Sequence, residues 1–64
     1  MVKVNGKNLD ISGKTVSEYL LKAKYQIARI AVEKNGEIIP KSQYDLTFFE
    51  DGDVVEIVSF VGGG

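Results

Sequence analysis

The sequence predicts an α+β fold in which one helix covers one face of a mixed β-sheet. Three observations carry this. Two Asn-Gly pairs, Asn5-Gly6 and Asn35-Gly36, each lie between short β-prone runs. One amphipathic stripe follows a capping sequence at residue 15, and the longest β-prone run, Val54 to Phe60, comes last. With 64 residues, 44% of them hydrophobic and 27% charged, the composition is that of an ordinary globular domain. A chain this short buries only about 60% of its unfolded surface, so its helix and sheet must bury their apolar faces on each other.

The elements follow in order. Met1 to Val4 and Asn8 to Ile11 have strand character around Asn5-Gly6. Asn-Gly suits a two-residue hairpin, whose central residues both need positive φ. Thr15-Val16-Ser17-Glu18 fits a capping box, the Thr15 hydroxyl taking the amide three residues on while Glu18 reaches back. Val16, Tyr19, Leu20, Ala23 and Ile27 then form one apolar stripe of a helix ending near Lys24. Ile30 to Glu33 reads as a strand, Asn35-Gly36 reverses it into Glu37-Ile38-Ile39, and Pro40 stops the return. Lys41 to Thr47 reads as a connection with one helical turn, anchored by Tyr44 and Leu46. Glu50 to Asp53 is a polar turn into the final strand. There Val55 and Ile57 should face the helix, with Val54, Glu56, Val58 and Phe60 on the other face.

First and last strands joined by a crossover can pair in parallel at the centre of the sheet. That arrangement is the β-grasp, or ubiquitin-like, architecture: a mixed sheet of four to five strands on one main helix. The reading gives one β-grasp domain over residues 1–61 and a flexible C-terminal glycine tail over residues 62–64. Tyr19, Tyr25 and Tyr44 read as structural.

Composition excludes much chemistry. There is no cysteine and no histidine, hence no disulfide, thiol nucleophile, zinc cluster or imidazole base. A self-sufficient enzyme is not expected, nor is a bound metal or cofactor. Asp51 and Asp53 flank a turn without the further oxygen ligands that calcium needs. No run reaches the roughly 18 apolar residues of a membrane span and the start lacks a signal-peptide pattern, so a cytoplasmic protein with no membrane role is expected. The basic residues are spread and not interleaved with aromatics, which speaks against nucleic acid.

The net charge of −1 conceals an asymmetry. Residues 1–32 carry six basic side chains against Asp10 and Glu18, a balance of +4. Residues 33–64 carry seven acidic side chains against Lys34 and Lys41, a balance of −5. The acidic half, which leads into the tail, is suited to steering toward a basic partner surface. Exposed acids such as Glu56 and Asp53 read as solvated surface.

The sequence closes on Phe60-Val61-Gly62-Gly63-Gly64. Three glycines form a thin, supple strip of backbone that can thread into a partner's active site. Fully extended, Val61 to Gly64 would span roughly 13 Å. A terminal glycine carboxylate is an anion and inert to nucleophiles until its oxygen becomes part of a leaving group. Glycine is the least hindered residue for that activation. Gly64 is therefore the expected reacting group, with Gly62 and Gly63 threaded into the partner. Val58, Phe60 and Val61 form the expected docking patch beside it.

Ile30-Ala31-Val32-Glu33, Asn35-Gly36-Glu37-Ile38-Ile39-Pro40, Asp51-Gly52-Asp53-Val54-Val55-Glu56-Ile57 and the closing glycines resemble the sulfur-carrier family of thiamine biosynthesis, ThiS. The likeness covers the whole chain, and only the glycines are functionally specific. It implies an E1-like enzyme that adenylates Gly64 with ATP and magnesium, both used by that partner and not held by the carrier. It implies a persulfide sulfur donor that converts the adenylate to a thiocarboxylate, and a thiazole synthase that takes the sulfur. The chain would then be a protein co-substrate. The tail alone is equally compatible with the small subunit of molybdopterin synthase, with a ubiquitin-like modifier, or with a non-covalent binding module. Short length and the Asn35 to Pro40 segment favour the thiamine branch.

Overall fold

Both Asn-Gly pairs turn the chain as their residue types require. In the computed structural model, which describes residues 1–60, φ is 48° at Asn5 and 85° at Gly6, and 52° at Asn35 and 86° at Gly36. Those left-handed values close two-residue hairpins. The first joins β1 (Val2–Val4) to β2 (Lys7–Leu9), with Val4 opposite Lys7. The second joins β3 (Ile30–Lys34) to β4 (Glu37–Ile39), with Lys34 opposite Glu37. β5 (Val54–Ser59) lies between the hairpins, parallel to β1 and antiparallel to β3, and the sheet order is β2-β1-β5-β3-β4. This is the expected mixed sheet of four to five strands, here five, with the first and last strands paired at its centre. The tail expected over 62–64, and the domain boundary at 61, lie outside the described residues.

Helix α1 (Val16–Lys22) starts at the capping box read from the sequence. The Glu18 amide donates to Thr15 Oγ1 at 3.1 Å, and the Thr15 amide donates to Glu18 Oε1 at 2.8 Å. Hydrogen bonds from the Thr15 backbone and side chain hold the Glu18 carboxyl below its usual range. The helix ends at Lys22 with Ala23 as its C-cap, in line with the end expected near Lys24. The Tyr25 amide bonds the Leu20 carbonyl and the Lys24 amide bonds the Leu21 carbonyl, the paired bonds of a Schellman stop. Lys24 occupies the left-handed position there, φ 64°, where glycine is usual. The stripe is corrected accordingly: Ala23 is an exposed C-cap, and Ile27 belongs to a separate 3₁₀ turn, Ile27–Arg29.

The core brings the inner face of the sheet against α1. Val2, Val4, Val32, Val55 and Ile57 from the strands meet Val16 and Leu20 of the helix, with Phe49 and Tyr44 closing one side. Tyr19 and Tyr25 pack half-buried against this cluster, and Tyr19 meets Phe49 edge-on at 6.0 Å between ring centres. The segment before β5 contains the expected helical turn, Lys41–Gln43, and Tyr44 anchors it. Leu46 does not, being 68% exposed; Phe49 fills the core instead, 1% exposed. Backbone bonds explain that choice. The Gly13 amide donates to the Phe49 carbonyl and the Phe49 amide to the Lys14 carbonyl, fixing this residue over the core (2.8 and 2.9 Å).

Candidate functional site

The side of the sheet turned away from α1 carries the candidate site. Alternation along β5 puts Val55 and Ile57 inside, leaving Val54, Val58 and Phe60 47%, 56% and 52% exposed. The register places neighbours beside them: Ala31 stands opposite Val58, and Ile38 of β4 stands opposite Glu33. Val54, Val58, Ala31 and Ile38 therefore share one face, which Phe60 continues beyond the end of β5. Exposed apolar side chains gathered on one sheet face form a surface suited to a partner.

The same face carries an acidic pair. Glu33 and Glu56 are directly opposite each other on β3 and β5. Like charges in that position repel, typically at a cost of about 0.2–1 kcal/mol. Among the described residues, the ion pairs are Met1 with Asp51 and Lys34 with Asp53, so neither glutamate has a cation of its own. An apolar surface with two adjacent carboxylates fits a partner that brings both apolar side chains and a Lys or Arg.

Asp53 is not part of that surface. The expectation of a solvated Asp53 is corrected: it is 8% exposed and accepts from Asn35 Nδ2 at 2.9 Å and from the Glu50 amide at 2.8 Å. Lys34 Nζ lies 3.7 Å away. Burial raises its pKa, but the bonds from Asn35 and Glu50 and the Lys34 charge outweigh it and hold the carboxyl below the usual range. Asp51 accepts from the Met1 ammonium and from Ser12 Oγ, so these two aspartates are committed to loop contacts. Among the described residues, no three His, Cys, Asp or Glu side chains gather where they could hold a metal ion. No helix among them is long and apolar enough to cross a membrane.

Of the expected site residues, Val58 and Phe60 lie exposed on the outer face, while Val61, Gly62, Gly63 and Gly64 lie outside the described residues. Sequence reasoning missed Ile38, which is 64% exposed, and Ala31. The Asn35-Gly36 turn was the signal available for Ile38. A two-residue hairpin there fixes Lys34 opposite Glu37, and so Ile38 opposite the outward Glu33.

Comparison with known proteins places this arrangement. The ThiS family model matches residues 2–64. The chain belongs to the ThiS family. It is 42% identical to the sulfur carrier protein ThiS of Bacillus subtilis, with the whole of both chains aligned. It superposes on the crystal structure of the thiamine biosynthesis protein ThiS from Geobacter metallireducens with a TM-score of 0.79 at 39% identity, covering 98% of this chain and 97% of that one. A thiazole synthase from Paramagnetospirillum magneticum is 42% identical over 62 residues; this chain spans 19% of that protein's length. As a member of the family the chain is a small sulfur carrier of thiamine biosynthesis, a co-substrate and not a catalyst.

Proposed function

We propose that this carrier brings sulfur to thiazole formation as a thiocarboxylate on Gly64. The observation that carries the reading is the alignment of both whole chains with the Bacillus subtilis carrier, together with a family match that runs through Gly64. An E1-like partner uses ATP and magnesium: a Gly64 carboxylate oxygen attacks the α-phosphorus, pyrophosphate leaves, and an acyl-adenylate results. The terminal sulfur of a cysteine persulfide on a donor protein attacks the carbonyl and AMP leaves. A thiol then cleaves the resulting S–S bond, leaving the thiocarboxylate on the carrier and a disulfide behind. Thiazole synthase is the acceptor, a reading supported by the thiazole synthase relative that contains a segment similar to 95% of this chain. These steps belong to the cytoplasm.

In this account the residues of the fold position and the tail reacts. Gly62 and Gly63 lie in the partner's cleft, where the absence of side chains removes obstruction. Val58, Phe60 and Val61 dock beside it, joined by Val54, Ala31 and Ile38. Glu33 and Glu56 meet a partner cation, which would relieve their mutual repulsion.

The test is alkylation of the protein after incubation with ATP, its adenylating enzyme and a persulfide donor, followed by mass analysis of the carboxyl-terminal peptide. With no cysteine in the chain, a thiol-specific adduct on that peptide reports a thiocarboxylate. Peptide mapping separates it from oxidation of Met1, whose mass change is nearly that of replacing oxygen by sulfur. No adduct, with an enzyme competent on a control carrier, would overturn the proposal in favour of a modifier or a binding module.

A further inference from the structure

β5 leads directly into the tail, and its two edges are held differently. Val54, Glu56, Val58 and Phe60 direct their backbone groups toward β3, as far as the bond from the Phe60 amide to the Arg29 carbonyl at 2.7 Å. The residues between them face β1. That strand pairs only as far as Val4 opposite Val55, after which the Asn5 amide takes the Val55 carbonyl at 2.9 Å and the chain turns away. The Ile57 amide and carbonyl, which face that edge, would be left without a strand partner. A side chain fills the gap: the Ile57 amide donates to Asn5 Oδ1 at 2.8 Å, and Asn5 Nδ2 donates to the Ile57 carbonyl at 3.2 Å. One carboxamide thus supplies the acceptor and the donor that another strand residue would have offered.

The second Asn-Gly turn grips the other end of the same strand. Asn35 Oδ1 accepts from the Val54 amide at 2.9 Å, and Asn35 Nδ2 donates to Asp53 at 2.9 Å. The two asparagines are alike in turn conformation and differ in what they hold. Asn35 holds the start of β5, where Asp53, Lys34 and β1 also converge. Asn5 holds the end of β5, where β3 is the other support among the described residues.

We propose that Asn5 is a positioning residue for sulfur loading, fixing the direction in which the chain leaves β5 toward Gly64. This rests on the carrier reading above. Without the carboxamide, the end of β5 is tethered along one edge and samples several orientations, a fraction of which suit the activating enzyme. Apparent affinity falls by that fraction while the chemistry at Gly64 is untouched. The signature is a raised KM at constant kcat.

Asn5→Gly removes the carboxamide and keeps the left-handed turn, since Gly-Gly also forms it. Asn35→Gly does the same at the other end and controls for general destabilisation. In an ATP–pyrophosphate exchange assay with the adenylating enzyme, Asn5→Gly should raise the KM for the carrier roughly tenfold with kcat unchanged. Asn35→Gly should stay within about twofold. Amide exchange should quicken at Ile57 in the first variant and at Val54 in the second. Asn5→Asp, which keeps an acceptor for the Ile57 amide but loses the donor, should fall between and serves if Asn5→Gly does not fold. Equal KM values for wild type and the Asn5 variants, or equal rises in the Asn5 and Asn35 variants, would overturn the proposal. A wild-type chain that supports no exchange would instead overturn the carrier reading itself.

Discussion

The two faces of β5 are built from the same kinds of residue and meet different fates. Val55 and Ile57 are buried under α1, while Val54 and Val58, one position away, are about half exposed. Nothing in valine itself makes the difference; the strand's period of two does. The buried face supplies stability and leaves the exposed face free of structural duty, so the exposed face can be selected for partners. A lone strand could not separate those tasks, because both faces would need cover. The helix on one side makes the separation possible.

That contrast can be broken by substitution. Ile57→Ala on the inner face should cost about 2–5 kcal/mol in denaturant unfolding, enough to unfold much of so small a domain. Phe60→Ala on the outer face should stay within about 0.5 kcal/mol and instead raise the KM for adenylation. Comparable stability losses in the two variants would show that the faces are not specialised.

The buried acid Asp53 tests where β5 is fastened. Its pKa is lowered in the folded chain, so its contribution is complete above its unfolded pKa of roughly 4 and lost as pH falls through the lower folded value. Asp53→Asn should cost about 1–2 kcal/mol at neutral pH, by leaving the Glu50 amide and Lys34 poorly matched. It should also flatten the loss of stability in acid, read from unfolding curves between neutral pH and the acid limb. An unchanged acid limb would show that other carboxylates carry it.

Smaller changes sharpen the comparison from the far side of the molecule. Lys24→Gly places the preferred residue at the left-handed end of α1 and should raise stability by about 1 kcal/mol without altering sulfur loading. Glu56→Lys should also stabilise, but it should alter binding. Opposite Glu33 it replaces repulsion with attraction, stabilising by about 0.2–1 kcal/mol, yet it should weaken partner binding. Tighter binding by Glu56→Lys would show that the acidic pair does not meet a partner cation.

Much of this was legible in the sequence because it rests on local chemistry. Asn-Gly dictates positive φ, the capping box fixes where α1 begins, and alternation sorts Val55 and Ile57 from Val54 and Val58. What was not legible depends on partners far along the chain. Leu46 and Phe49 are both large and apolar; the bond from the Gly13 amide to the Phe49 carbonyl and that from the Phe49 amide to the Lys14 carbonyl decide which is buried. Asp53 looks like any turn acid until Asn35 and Lys34 are brought to it. The helix end near Lys24 was legible, but the stripe ran on to Ile27 by spacing alone, and the left-handed Lys24 that sets Ile27 apart is a conformation no residue-type rule assigns to lysine. For the candidate site, Val58 and Phe60 followed from β5 alone, whereas Ile38 and the Glu33–Glu56 pair needed the register across strands.

Methyl NMR of the carrier titrated with its adenylating enzyme tests the division of faces most directly. The account predicts that methyl signals of Val54, Val58 and Ile38 shift or broaden, while those of Leu9 and the exposed Leu21 on the helix side stay in place. Perturbation centred on Leu9 and Leu21, with the outer sheet face unchanged, would contradict it.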